Sequence, residues 1–195
     1  MSHRLYNITE NIIKELMMEA EKKLQIKFPQ TNLYVLSPDI STDGAIGRAG
    51  IFYKGQRPIG EIKIYYRFIY NYTKFILRPV KDKQVILYVF TKVLRFAILH
   101  ELYHLYKRTI GQEFVEPEEH ECNIFALNWF TERKDIIGIL VAKYFILSLR
   151  LYNETFLLKD LRALRGLKRI LKDTELIRRF IVEEPGFLTR YENES

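Results

Sequence analysis

A chain of 195 residues with 48% hydrophobic and 28% charged residues is long enough for one sizeable core and too apolar to read as disordered. Its single cysteine, Cys122, excludes an internal disulfide framework and a four-cysteine zinc ribbon, so metal chemistry would have to rest on histidine and carboxylate, and a reducing cytoplasm is the compartment that fits. A formal net charge of +7 favours an anionic contact without separating nucleic acid from an acidic protein.

The N-terminus runs into a charged helical pattern with no apolar signal core, an expectation against secretion. From about Asn7 to Leu24 the positions Ile13, Leu16, Met17, Ala20 and Leu24 predict a helix, with Asn7 and Glu10 as its cap. Short β-rich segments follow at Asn32 to Leu36, Gly50 to Tyr53 and Gly60 to Tyr66, the last two joined as a hairpin through Lys54-Gly55-Gln56-Arg57-Pro58. About Asp82 to Arg108 reads as a long helix, apolar nearly all round and therefore central, with Gly111 as its stop. Pro117 suits the first position of another helix, through Glu119, Asn123, Phe125 and Trp129 to about Arg133, and a further apolar helix spans about Asp135 to Leu151. Lys92, Arg95 and Lys143 interrupt the two most apolar stretches, so no membrane span is expected. The expected organisation is a first unit over 1–152 and a basic helical extension over 153–195.

Within the long helix, His100-Glu101-Leu102-Tyr103-His104 sets two imidazoles one turn apart on one side, where they can share a metal ion. Glu101 lies about 100° round the helix, placed to act on a metal-bound water without ligating the ion. Imidazole with carboxylate suits zinc, and three protein ligands leave open the position that catalysis needs. The third ligand is sought in Glu118-Glu119-His120-Glu121. Glu119 is favoured because it would carry Asn123, four residues on, beside an imidazole; His120 is the alternative and would turn Asn123 away. Glu118 and Glu121 read as helix-start charges, and Cys122 as a small core residue.

Arg95-Phe96-Ala97-Ile98-Leu99-His100-Glu101-Leu102-Tyr103-His104-Leu105 resembles the Arg-Phe-Thr-Leu-Ala-His-Glu-Leu-Gly-His-Leu block of the ImmA/IrrE-like zinc metallopeptidases. Glu119-His120-Glu121-Cys122-Asn123-Ile124-Phe125-Ala126 is similar to their Glu-x-Glu-Ala-Asn-x-Phe-Ala block, whose first Glu is the third ligand. A weaker similarity joins Ala49 to Tyr53 and the Ile62 to Ile64 strand to the family's upstream hairpin, so that the resemblance covers roughly residues 45 to 130. Tyr103 stands where the family has Gly, Cys122 where it has Ala, and the segment around Tyr70 to Val89 is longer than the family norm.

The resemblance implies an α+β, zincin-like fold with a small antiparallel or mixed sheet packed on the central His-Glu-x-x-His helix. It implies Zn2+ held by His100, His104 and Glu119, Glu101 as general base, and a protein substrate such as a helix-turn-helix repressor. A peptide is expected to add along the Glu61 to Tyr66 strand, with Tyr65, Tyr66, Tyr103 or His120 as the second oxyanion donor. Two other functions compete. A SprT-like DNA-associated protease would need a histidine third ligand. A nucleic-acid-binding regulator with structural zinc would use Arg162, Arg165, Arg169 and Lys172, which share one helical face otherwise read as solvated.

Overall fold

A computed structural model of the chain describes residues 2–36, 46–78, 80–113 and 118–152. It is an α+β structure of five helices and one three-stranded mixed sheet: α1 (Ser2–Leu24), β1 (Thr31–Leu36), β2 (Gly47–Lys54), β3 (Arg57–Tyr65), α2 (Tyr66–Ile76), α3 (Lys83–Thr109), α4 (Glu118–Glu132) and α5 (Ile136–Tyr152). Arg162, Arg165, Arg169 and Lys172, with the rest of the expected 153–195 extension, lie outside the described residues. Among the described residues no helix is long and apolar enough to cross a membrane.

α3 is the hub, in contact with α1, α2, α4, α5, β2 and β3. Its all-round apolar sequence is explained by that position, because Phe90, Leu94, Phe96 and Ile98 are wholly buried while pointing in different directions. Asp82 caps it, accepting from the backbone of Gln84 at 2.7 Å and of Val85 at 3.4 Å. The helix ends as expected near Gly111, whose φ of +79° suits the residue that lacks a Cβ. α1 begins at Ser2, five residues before the expected cap, so Asn7 is interior to the helix and Glu10 pairs with Lys14 at 2.6 Å instead. Leu5, Ile12, Ile13, Leu16 and Ala20 form its buried face. Polar ties fasten its other side: Arg95 donates twice to Glu15, both at 2.9 Å, and the Trp129 indole N–H donates to Glu19 at 2.8 Å.

The sheet order is β1-β3-β2, with β1 parallel and β2 antiparallel to β3. Ile62 and Ile64 of β3 are fully buried, while Leu33 and Val35 of β1 and Ala49 and Ile51 of β2 pack against the same core. The β2–β3 hairpin turns through Gly55-Gln56, so Arg57 and Pro58 belong to the strand and not to the turn. Pro58 is tolerated there because β1 pairs with β3 only from Gly60 onward, leaving its side of the ladder open.

α2 is a helix that the residue types of its segment do not predict. Tyr66, Ile69, Tyr70 and Thr73 do fall at helical spacing and are buried, but the segment is built from aromatic and β-branched residues that favour strands. Tertiary packing decides for helix: Tyr70 meets Phe90 of α3 edge-on at 5.4 Å, and Tyr72 meets Phe145 of α5 at 5.7 Å.

Candidate metal centre

His100 and His104 lie one turn apart on the face of α3 turned toward α4, each 8% exposed. Their Nε2 atoms are 3.1 Å apart. Glu119, in the first turn of α4, reaches across with one carboxylate oxygen 3.1 Å from the Nε2 of His100 and the other 3.1 Å from the Nε2 of His104. Two ligand nitrogens bound tetrahedrally at about 2.05 Å lie about 3.3 Å apart, so these three groups have the spacing of donors around one small divalent cation. The Glu119 side chain is 37% exposed, which opens the group to solvent on that side.

The other ring nitrogens are occupied. The Nδ1–H of His100 donates to Asn123 Oδ1 at 3.1 Å, the arrangement expected if Glu119 faces the site. The Nδ1–H of His104 donates to Glu118 Oε1 at 2.5 Å. Asn123 and Glu118 thereby engage Nδ1 of each ring, so Nε2 is the atom that each imidazole turns toward Glu119. Glu118 is the helix-start charge expected, opening α4, but it is 1% exposed and therefore needs partners. Arg108, one turn beyond His104 on α3, donates to both of its oxygens at 2.9 Å. A carboxylate at this depth needs such partners, since desolvating it alone would cost far more than a surface pair returns. The sequence did hold a cue, because Arg108 continues the His100, His104 face at the next turn. Glu121 also lies in the first turn, half-buried and paired with Lys107.

His100, His104 and Cys122 also form a buried group with donor atoms all within 4.8 Å of one another, able to hold a metal. Cys122 is wholly buried, as a core residue should be, yet it borders the cluster. Burial pushes its thiol up to about 11, against the opposing effect of His104, so a cation would have to displace a proton there. Glu119 is different. Burial raises its carboxyl, but hydrogen bonds from His100 and His104 overcome this and hold it well below the usual carboxylate range. His104 is driven down by burial and further up by its bonds to Cys122 and Glu119, to about 11. His120, partly buried on the same turn, belongs to neither set of donors.

Glu101 lies on the adjoining face of α3, 5% exposed, where β2 packs against it and the charges of His100, His104 and Glu119 still reach it. A Cβ built on Gly47 would lie 2.9 Å from its Cγ and 3.0 Å from its Oε1, so the strand approaches this carboxylate closely only because position 47 is glycine. Burial raises the Glu101 pKa, with His100, His104 and Arg48 pulling in the opposite direction. A carboxylate raised in this way is better matched to taking up a proton near neutrality.

Three of the four candidates for a second oxyanion donor sit in packing positions. Tyr66 is buried in the core, and Tyr103 stacks on Phe125 at 4.8 Å, which are packing roles. Tyr65 also packs against the core. The expected peptide site along Glu61 to Tyr66 is corrected as well: β3 is the central strand, its backbone engaged by β1 and β2 on both sides. The edge beside Glu101 belongs to β2.

Compared with family models, with curated proteins and with solved structures, the chain gives no match.

Proposed function

We propose that this chain is a zinc-dependent endopeptidase of the ImmA/IrrE type, with His100, His104 and Glu119 as ligands and Glu101 as general base. The observation that carries this reading is the convergence of both Glu119 oxygens on the two Nε2 atoms at 3.1 Å, while Glu101 is buried on the adjoining face against β2. A bound zinc supplies an acidified water and polarises a substrate carbonyl. Glu101 takes the proton from the attacking water and returns it to the departing amine. Asn123 and Glu118 hold the imidazole rings in one tautomer and one orientation, so ligand geometry costs nothing to reorganise. β2 offers the edge on which a peptide can be aligned before attack. A partner such as a DNA-binding repressor is the substrate suggested by the family resemblance.

Metal content and cleavage test this together. The purified chain is expected to hold about one zinc and to cleave a helix-turn-helix repressor, and a preparation that refuses added zinc would end the proposal. A SprT-like protease is disfavoured by the carboxylate at Glu119, since it needs a third histidine. Cys122 favours a second reading, in which it joins His100, His104 and Glu119 in a closed site that keeps zinc for structure. Cobalt substitution separates the two, because a thiolate ligand gives a strong near-ultraviolet charge-transfer band and a carboxylate does not.

A further inference from the structure

We infer that the exposed apolar face of α5 seats residues 156–171 of this same chain, packed along it as the second arm of a helical hairpin. α5 is apolar nearly all round: between Ile136 and Tyr152 only Lys143 and Arg150 are charged. One side is used, since Gly138, Ala142, Phe145 and Ile146 are buried where α5 meets α3 and α4. The other side is open. Ile136 is 69%, Leu140 62%, Tyr144 54% and Ile137 52% exposed, and at 100° per residue the four fall within a sector of about 100°. A helix with apolar residues on every side belongs between partners, and among the described residues nothing covers this second side.

The sequence that follows supplies the missing partner. Residues 153–195 run on directly from Tyr152, the end of α5, and lie outside the described residues. Asn153-Glu154-Thr155 is a polar break of the length that joins antiparallel helices, and Thr155 is a residue type that caps a helix start. Beyond it Leu157, Leu161, Leu164 and Leu171 recur within about 80° of a helix, a stripe as narrow as the one on α5. A hairpin counted out equally from Glu154 sets Leu161 level with Leu147, Leu164 with Tyr144 and Leu171 with Ile137. Asp173 and Glu175 then bracket the level of Lys134, an exposed cation just before α5. A second copy of α5 would bring cations and no carboxylate to such a contact. Docked in this way, Arg162, Arg165, Arg169 and Lys172 fall about 60° to 140° round from Leu157, clear of the seam, and form a fixed basic surface on the first unit.

Disulfide trapping in the full-length chain tests this. Ile137→Cys combined with Leu171→Cys should close within one chain under oxidised glutathione, because the hairpin brings their Cβ atoms toward the roughly 3.8 Å that a disulfide needs. Ile137→Cys combined with Leu157→Cys should stay reduced, since position 157 lies about 21 Å along the helix from position 171 at about 1.5 Å per residue. Tyr144→Cys with Leu164→Cys repeats the matched test nearer the turn. Both α5 positions are exposed, so these substitutions leave the core intact. Mass spectrometry after alkylation reads the linkage, with the buried Cys122 as a constant in every variant. Each matched pair should lose two free thiols while the chain stays monomeric. Equal closure of matched and mismatched pairs would overturn the inference, because the segment would then be tethered to α5 without a seat on it. So would a failure of both matched pairs to close. Bridges between chains, formed by Ile137→Cys alone as readily as by the pair, would assign the face to a second copy and overturn it as well.

Discussion

Replacing Gly47 by alanine tests the tightest contact in the candidate site. The added methyl would lie 2.8 Å from the Lys63 carbonyl oxygen, 2.9 Å from Glu101 Cγ and 3.0 Å from Glu101 Oε1. Ordinary contact begins at 3.4 Å, so something must move by about 0.6 Å, the difference from 2.8 Å. The Lys63 oxygen is backbone in the central strand and resists, which leaves β2 or the Glu101 side chain to give way. Overpacking of this kind costs about 1 to 3 kcal/mol, less than the roughly 5 to 15 kcal/mol stability of a typical domain, so the variant should fold. Its general base, however, would be displaced on the scale at which about 1 Å costs about a hundredfold in rate. The three atoms nearest the new methyl belong to Lys63 and Glu101 and none to His100, His104 or Glu119, so zinc content should not change. Urea unfolding, elemental analysis and peptide cleavage read the three quantities separately. Native stability and native cleavage together would refute the close approach of β2 to Glu101, and loss of zinc would refute the separation of base from ligands.

Glu101→Gln keeps shape and zinc but removes the base, so cleavage should fall by about 10²- to 10⁴-fold with metal content unchanged in elemental analysis. Glu119→Ala should lower zinc affinity in a chelator competition, whereas His120→Ala should retain it; the opposite pattern would reassign the third ligand. Glu118→Ala strips His104 of its acceptor and leaves Arg108 without its carboxylate, so zinc affinity should drop about 10- to 100-fold, with Glu118→Gln recovering part of it in the same titration. Asp135 accepts from the Gly138 N–H at 2.9 Å and from Lys92 at 2.5 Å, and Asp135→Ala should cost about 1 kcal/mol in urea unfolding near neutral pH. Burial raises the Asp135 pKa, but the bonds from Lys92 and Gly138 outweigh it and hold the group low. Its contribution is therefore full above the unfolded value of about 3.9 and fades as pH falls through the lower folded value, so the gap between the two proteins should close in acid.

Local spacing made much of this protein legible without its structure. The all-round apolar stretch ending at His100 to His104 had to be a central helix, because no single face could account for its hydrophobic residues, and α3 is in contact with six other elements. The hairpin followed from its turn, and the tie between Asn123 and His100 followed from helical geometry at Glu119, since residues four apart share a face. Distant partners were not legible. Glu118 looked like an ordinary helix-start charge until Arg108 and His104 were brought against it, because burial belongs to the packing of α4 on α3 and not to the residue. α2 had a strand-like composition at helical spacing, and its contacts with Phe90 and Phe145 chose between them. Strand order was likewise open. A sequence marks where β segments occur but not which lies in the middle, and parallel pairing of β1 with β3 left β1 and β2, not β3, at the edges of the described sheet. The same crossing set Gly47 against Glu101, a contact between residues 54 positions apart that no periodicity encodes.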